Sequence, residues 1–369
     1  MAKKLLFVFS CFFLSILFYS CSSEDNYISI EEPEIIEAPE TSPVAFDITQ
    51  VPYATLSEYN FFEGDLKNLN PVYGVLPYDL SSALFSDYAQ KKRFIWMPEN
   101  VKAAYNGEDN ILNFPIGTIL IKNFYYNNVL PSNETKLIET RLLINKADGW
   151  SFLNYIWNDT QTEAVFNLSG GVVSTDWNEG AETKHVEYRI PSASQCHTCH
   201  KSGDTSIPIG PKPINLNIAY NYGNGAINQL QKWAEFGYLT ENYPSNITTL
   251  PNWEDETLSA SLRARAYLDI NCAHCHSEEA HCAYRPIRFN FDATSNPDNL
   301  GICVTPDTVI GTDLTYIVES QNARSSVLFY RLNETEESVR MPLLGRTLRH
   351  IEGIQLVEAW INSLTIQCN

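Results

Sequence analysis

The residues with the most definite chemistry stand in two short runs, Gln195-Cys196-His197-Thr198-Cys199-His200 and Ile270-Asn271-Cys272-Ala273-His274-Cys275-His276. Each contains C-x-x-C-H, the pattern for covalent attachment of haem. Two thiols about one helical turn apart can add across the two vinyl groups of a porphyrin. The histidine that follows then lies under the ring with an imidazole nitrogen aimed at the iron. With nine Cys and seven His in 369 residues, chance supplies roughly 0.004 such matches, so two are not accidental. The competing chemistry is a zinc site built from both C-x-x-C pairs, or disulfides. Zinc ribbons space their pairs by about 15–20 residues, whereas Cys196 and Cys272 stand several times farther apart. Zinc also gives no reason for a histidine directly after both pairs. Cys196, Cys199, Cys272 and Cys275 are therefore read as attachment points for two covalent haem c groups, with His200 and His276 as iron ligands.

A second ligand for each iron must come from elsewhere. Methionine is scarce, occurring only as Met1, Met97 and Met341. Met341 is followed by proline, beyond the second motif, and is the expected partner of His276; a thioether opposite histidine raises the potential. No Met or His lies between residues 201 and 271. The partner of His200 is therefore sought among His185, Met97, His281 and His350, or in a residue without a sequence signature.

The elements around these motifs change character along the chain. From about 50 to 190 the text is β-like, with runs such as Ile119 to Tyr126, Glu139 to Ile144, Trp150 to Trp157 and His185 to Ile190. Ala147-Asp148-Gly149 reads as a hairpin turn. The expected form is an antiparallel sandwich or barrel. Asp79, Asp87 and Asp148 are read as turn caps or solvated carboxylates before calcium ligands. After the first motif, Pro208 to Pro213 must wrap as a loop. Ile227, Leu230, Trp233 and Ala234 then predict a helix stopped by Gly237. Asp255 is the expected cap of a helix carrying Leu258, Leu262, Ala266 and Ile270 into the second motif. Ile354, Val357, Trp360, Ile361 and Leu364 predict a closing helix.

The N-terminus reads as an address. Lys3-Lys4 precedes an apolar run from Leu5 to Tyr19, shorter than the roughly 20 residues a spanning helix needs. This is an export signal ending at a lipoprotein-like Cys21, with ordinary cleavage as the alternative. Residues 22–45, rich in Glu and Pro, read as an extended tether. The net charge of −19 excludes nucleic acid as a partner and suits either a basic redox protein or plain solubility. Cys11 leaves with the signal and Cys21 takes lipid. Among Cys282, Cys303 and Cys368 one disulfide is expected in an oxidising compartment, Cys282 with Cys303.

These readings give a multidomain α+β chain: signal peptide 1–20, tether 21–49, antiparallel β-rich domain 50–190, first haem module 191–254, and a mainly α-helical, cytochrome c-like domain 255–369 with the second haem. Residues 258–364 resemble a class I cytochrome c, on the helix entering C-x-x-C-H, the Met341-Pro342 loop and the closing helix. The chain from about 75 to 365 also resembles a family of exported bacterial diheme c-type cytochromes. The resemblance rests on Pro77-Tyr78-Asp79-Leu80, Leu84-Phe85-Ser86-Asp87-Tyr88-Ala89, Phe114-Pro115-Ile116-Gly117-Thr118, Glu139-Thr140-Arg141-Leu142-Leu143, both haem motifs, and Arg263 to Asp269. It implies two covalent haems, a β-rich leader region and export, and supplies no substrate. The function expected first is electron transfer between a periplasmic or cell-surface redox enzyme and a downstream acceptor. Two readings compete with it: a diheme peroxidase with one open iron, and a β-domain that binds a carbohydrate or protein with the haems as its electron outlet.

Overall fold

Runs of β-branched and aromatic residues, covered on both faces in the central strands, build the main eight-stranded sheet in the first half of the chain: β1 (Leu76–Tyr78), β2 (Gln90–Trp96), β3 (Ile119–Val129), β4 (Glu134–Lys146), β5 (Gly149–Trp157), β6 (Ala164–Asn167), β7 (Gly171–Glu179) and β8 (Glu182–Ile190). The computed structural model describes residues 40–369; the expected signal peptide, with Cys11, the expected lipid site Cys21 and most of the expected tether fall outside the described residues. The strands pair antiparallel in the order β8-β7-β3-β4-β5-β6, with β2 also on β3 and β1 on β2. This is one branched sheet, not the expected sandwich or barrel. Branching follows from the length of β3. Its first half pairs with β2, whereas Val129 at its far end pairs with Trp177 of β7 after two register shifts. The Ala147-Asp148 turn is as expected, with Lys146 opposite Gly149 and Gly149 at φ 115, where a side chain would be strained.

Side-chain alternation sends the two faces of the sheet to different work. Ile119, Ile121, Leu142, Ile144 and Tyr155 pack under the N-terminal segment at Leu56, Tyr59 and Phe61. Leu120, Leu143 and Phe152 face the other way, onto Cys196, Leu230 and Trp233. Each such buried side chain contributes about 1.5–3 kcal/mol, so the first C-x-x-C-H is packed onto the sheet.

Short helices follow: α1 (Ala193–Cys199), α2 (Gln229–Phe236), α3 (Ala260–Leu268), α4 (Val327–Asn333) and α5 (Ile351–Ser363). The fold is thus α+β, a large N-terminal antiparallel sheet and then a region of short helices, with Thr41–Asn369 forming one compact unit. Helix α2 ends at Gly237, φ 91, as the sequence predicts. The start of α3 differs from expectation. Ser259, whose side chain accepts the Leu262 N–H at 3.3 Å, is the cap, because Asp255 is spent on the turn at Thr257. Leu262 is exposed, whereas Ala266 and Ile270 are buried as expected, joined by Ala264, Tyr267 and Leu268. Among the described residues no helix is long and apolar enough to cross a membrane.

The disulfide also differs from expectation. Cys303 pairs with Cys368, Cα atoms 5.0 Å apart, not with Cys282. Cys282 is held away by its own turn, its N–H donating to the Cys275 carbonyl at 2.9 Å. The bridge therefore fastens the C-terminal tail rather than a loop beyond the second motif.

Candidate functional site

Two adjoining cavities take up the two motifs. The first lies between the sheet and the C-terminal helices and is lined by Cys196, Cys199 and His200; the second is lined by Cys272, Cys275, His276 and Met341. Cys199, Asn271, His274, Leu332, Pro342 and Leu344 line both and form a common wall.

The first motif is positioned by chain economy. Strand β8 ends at Pro191, and Ser192 with Gln195 makes a reciprocal capping box that starts α1 at once. Cys196 and Cys199 then fall on one turn, and the His200 N–H donates to the Cys196 carbonyl at 3.1 Å. His200 rests on Phe152 of β5, ring centroids 4.3 Å apart. Its Nδ1 lies 2.8 Å from the Ile207 carbonyl oxygen. A proton on Nδ1 satisfies that contact and leaves Nε2 as the basic atom, the arrangement that ligating histidines use. Burial pushes the His200 pKa down to about 3, so the ring is neutral.

The second motif follows α3 through a wide turn, Asp269–Ala273. Buried Asp269 accepts from Lys212 Nζ at 2.9 Å and from the Phe291 N–H at 3.0 Å. Both the Cys275 and His276 N–H groups donate to the Cys272 carbonyl at 3.0 Å. His276 packs edge-on to Phe289, and burial brings its pKa down to about 4. All four motif cysteines are free thiols. The motifs meet: Cys199, His274 and Cys275 present ligand atoms within 4.8 Å of one another. Within this coupled group the Cys275 thiol, and then His274, hold the Cys199 thiol low, while Cys275 is raised.

Of the four residues sought as partner for His200, only His350 lines the first cavity. His281 lines the second. His185 is exposed on β8, tied to Asp176 at 2.8 Å and Glu187 at 3.1 Å, and Met97 is buried in the core beneath the sheet.

Several residues of the site carry no sequence signature. Arg346, buried, donates to the carbonyls of Met341, Leu348, Arg331, Leu332 and Glu334 at 2.8–3.2 Å. It knits the loop that presents Met341. Across the sheet, Arg93, Lys122, Arg141 and Asn154 stand opposite one another in register. Arg141 is matched by buried Glu139, at 3.0 and 2.5 Å. Lys122, half-buried in the first cavity, has no ion-pair partner among the described residues, and burial pushes its pKa well below the lysine range. Compared with protein-family models, with curated proteins and with solved structures, the chain matches none.

Proposed function

We propose that this chain is an exported electron-transfer protein that carries two covalent haems, exchanging electrons with a redox enzyme of the periplasm or cell surface and with a downstream acceptor. The observation that carries the reading is the pairing of each complete C-x-x-C-H with its own cavity, the second of which also receives Met341. Haem supplies one-electron exchange when bound. The chain's own residues fit that group in three respects. The thiols are unpaired and on one turn. His200 is oriented through Nδ1, which leaves Nε2 for the iron. Lys122 and Arg346 line the first cavity, and a porphyrin carboxylate there would hold the Lys122 ammonium in its charged form. Export and a lipid on Cys21 rest on the sequence alone, and the redox partner is a protein of unspecified identity.

The Cys199–His274–Cys275 group favours a second reading, a soft metal such as zinc held between the motifs. It leaves the two histidines that follow the cysteine pairs without a role. Expression in a host that attaches haem c decides between them. Two haems per chain are expected by mass and by pyridine haemochrome, with one lost in Cys196→Ala/Cys199→Ala and the other in Cys272→Ala/Cys275→Ala. Bound zinc without haem would overturn the proposal. Steady turnover of peroxide with a reduced donor would replace electron transfer by the peroxidase reading.

A further inference from the structure

His350 sits where the closing helix begins, 7% exposed, in the wall of the first cavity opposite the sheet. Its ring is boxed by aromatic side chains: Phe85 stacks on it at 4.0 Å with planes 10° apart, Trp253 meets it edge-on at 5.0 Å, and Tyr267 lies at 5.5 Å. Its Nδ1 is 3.1 Å from the Tyr267 hydroxyl. Its Nε2 has only Glu352 near it, at 3.7 Å, beyond hydrogen-bond distance, and that carboxylate accepts from Tyr88 at 3.0 Å. A histidine held through one nitrogen, with the other left without a hydrogen bond, is how metal ligands are presented. His200, across the same cavity, shows the same arrangement through Ile207.

We propose that His350 is the second axial ligand of the group held by Cys196, Cys199 and His200, which makes the first site a bis-histidine haem beside a His276/Met341 haem. This rests on the covalent haem reading above. Two consequences follow from ligand chemistry. The first iron is closed to peroxide, which favours electron transfer over peroxidase activity. It also has the lower midpoint potential, because it lacks the thioether that raises the potential of the second.

The test uses the full chain with haem attached. A count of two covalent haems per chain is established first; its absence would sink the underlying reading. Given two haems, ferric wild-type protein should show low-spin signals only. His350→Ala should turn one haem in two high-spin, with low spin restored by added imidazole, while the near-infrared sulfur-to-iron band of the His276/Met341 site persists and reports that the fold is intact. If His350→Ala does not fold, His350→Met keeps the volume and should add a second sulfur-to-iron band and raise the lower of the two potentials. Overturning results are a high-spin haem already in the wild type, a His350→Ala or His350→Met spectrum identical to wild type, or conversion by Lys122→Ala instead.

Discussion

The carboxylate of Asp87 accepts the backbone N–H of Thr347 at 2.7 and 2.8 Å, its hydroxyl at 3.0 Å, and the N–H of Leu348 at 2.8 Å. One side chain from the loop before β2 thus grips the loop that lies between Met341 and His350. The gripping segment is itself strained, with Asp87 at φ 51 and Tyr88 at φ 63, conformations that cost free energy and persist where surroundings enforce them. Its neighbours reinforce the grip. Phe85 stacks on His350, and the Tyr88 hydroxyl accepts from the Ile351 N–H at 3.1 Å.

Asp87→Ala should therefore act on both sites from a distance. Leaving two half-buried N–H donors unanswered costs at most about 1–3 kcal/mol each. Chemical denaturation should register that loss, and in protein carrying the proposed second haem the sulfur-to-iron band assigned to Met341 should weaken or broaden. Asp87→Asn, which keeps one carbonyl acceptor, should fall between. A band as sharp as wild type in Asp87→Ala would show that the clamp does not position Met341.

The two C-x-x-C-H runs are legible in the sequence as fixed spacings, and the sheet because its strands are β-branched and aromatic runs between turn signals. The β3 branch is not, because a long strand that changes partners has the same composition as one that does not. The disulfide escapes for a different physical reason: pairing depends on where the tail after α5 returns, and Cys368 gives no local sign of that. Arg346 leaves no trace either, since its six hydrogen bonds go to backbone carbonyls, which any residue types can supply. Leu84 to Ala89 stands out through its resemblance, but only the fold shows that it holds a loop more than two hundred residues away in sequence.

Gly353 tests the seat of His350. A Cβ there would collide with the ring and hydroxyl of Tyr267, so the closing helix meets α3 only because this residue has no side chain. Gly353→Ala should displace Tyr267, destabilise by about 1–3 kcal/mol through overpacking, and disturb the His350 site more than the Met341 site. Equal loss of both spectroscopic signatures would mean a general unfolding instead. Gly353→Ala with Tyr267→Phe, which removes the hydroxyl, should recover part of the stability.

The Cys303–Cys368 bridge closes a loop of 65 residues. Chain-entropy arguments give such a loop about 4 kcal/mol. Cys368→Ser should lower the unfolding midpoint accordingly and leave the spectra of both sites unchanged, since the bridge lies apart from the cavity walls. Non-reducing peptide mapping that joined Cys282 to either cysteine would contradict the pairing.

Lys91 makes the pH dependence of stability a measure of the sheet's cationic face. Its Nζ donates to the Ala89 carbonyl at 2.8 Å and lies 5.8 Å from the Phe124 ring, which Lys122 and Arg141 also approach. Burial, and then the charges of Arg93 and Arg141, lower its pKa to about 7. The unfolded chain holds that proton to about pH 10.4. Between those values the unfolded state binds more protons, so this group's contribution to stability rises with pH and falls away as pH drops back through 7. Lys122, also pushed down by burial, acts with the same sign. From pH 7 to 8.5 Lys91→Met should remove a slope approaching about 1.4 kcal/mol per pH unit relative to wild type. Taking the difference between the two proteins cancels the other titrating groups. Parallel stability curves for wild type and variant would show that Lys91 stays solvated and charged, and would move the cationic face of the sheet out of the interior.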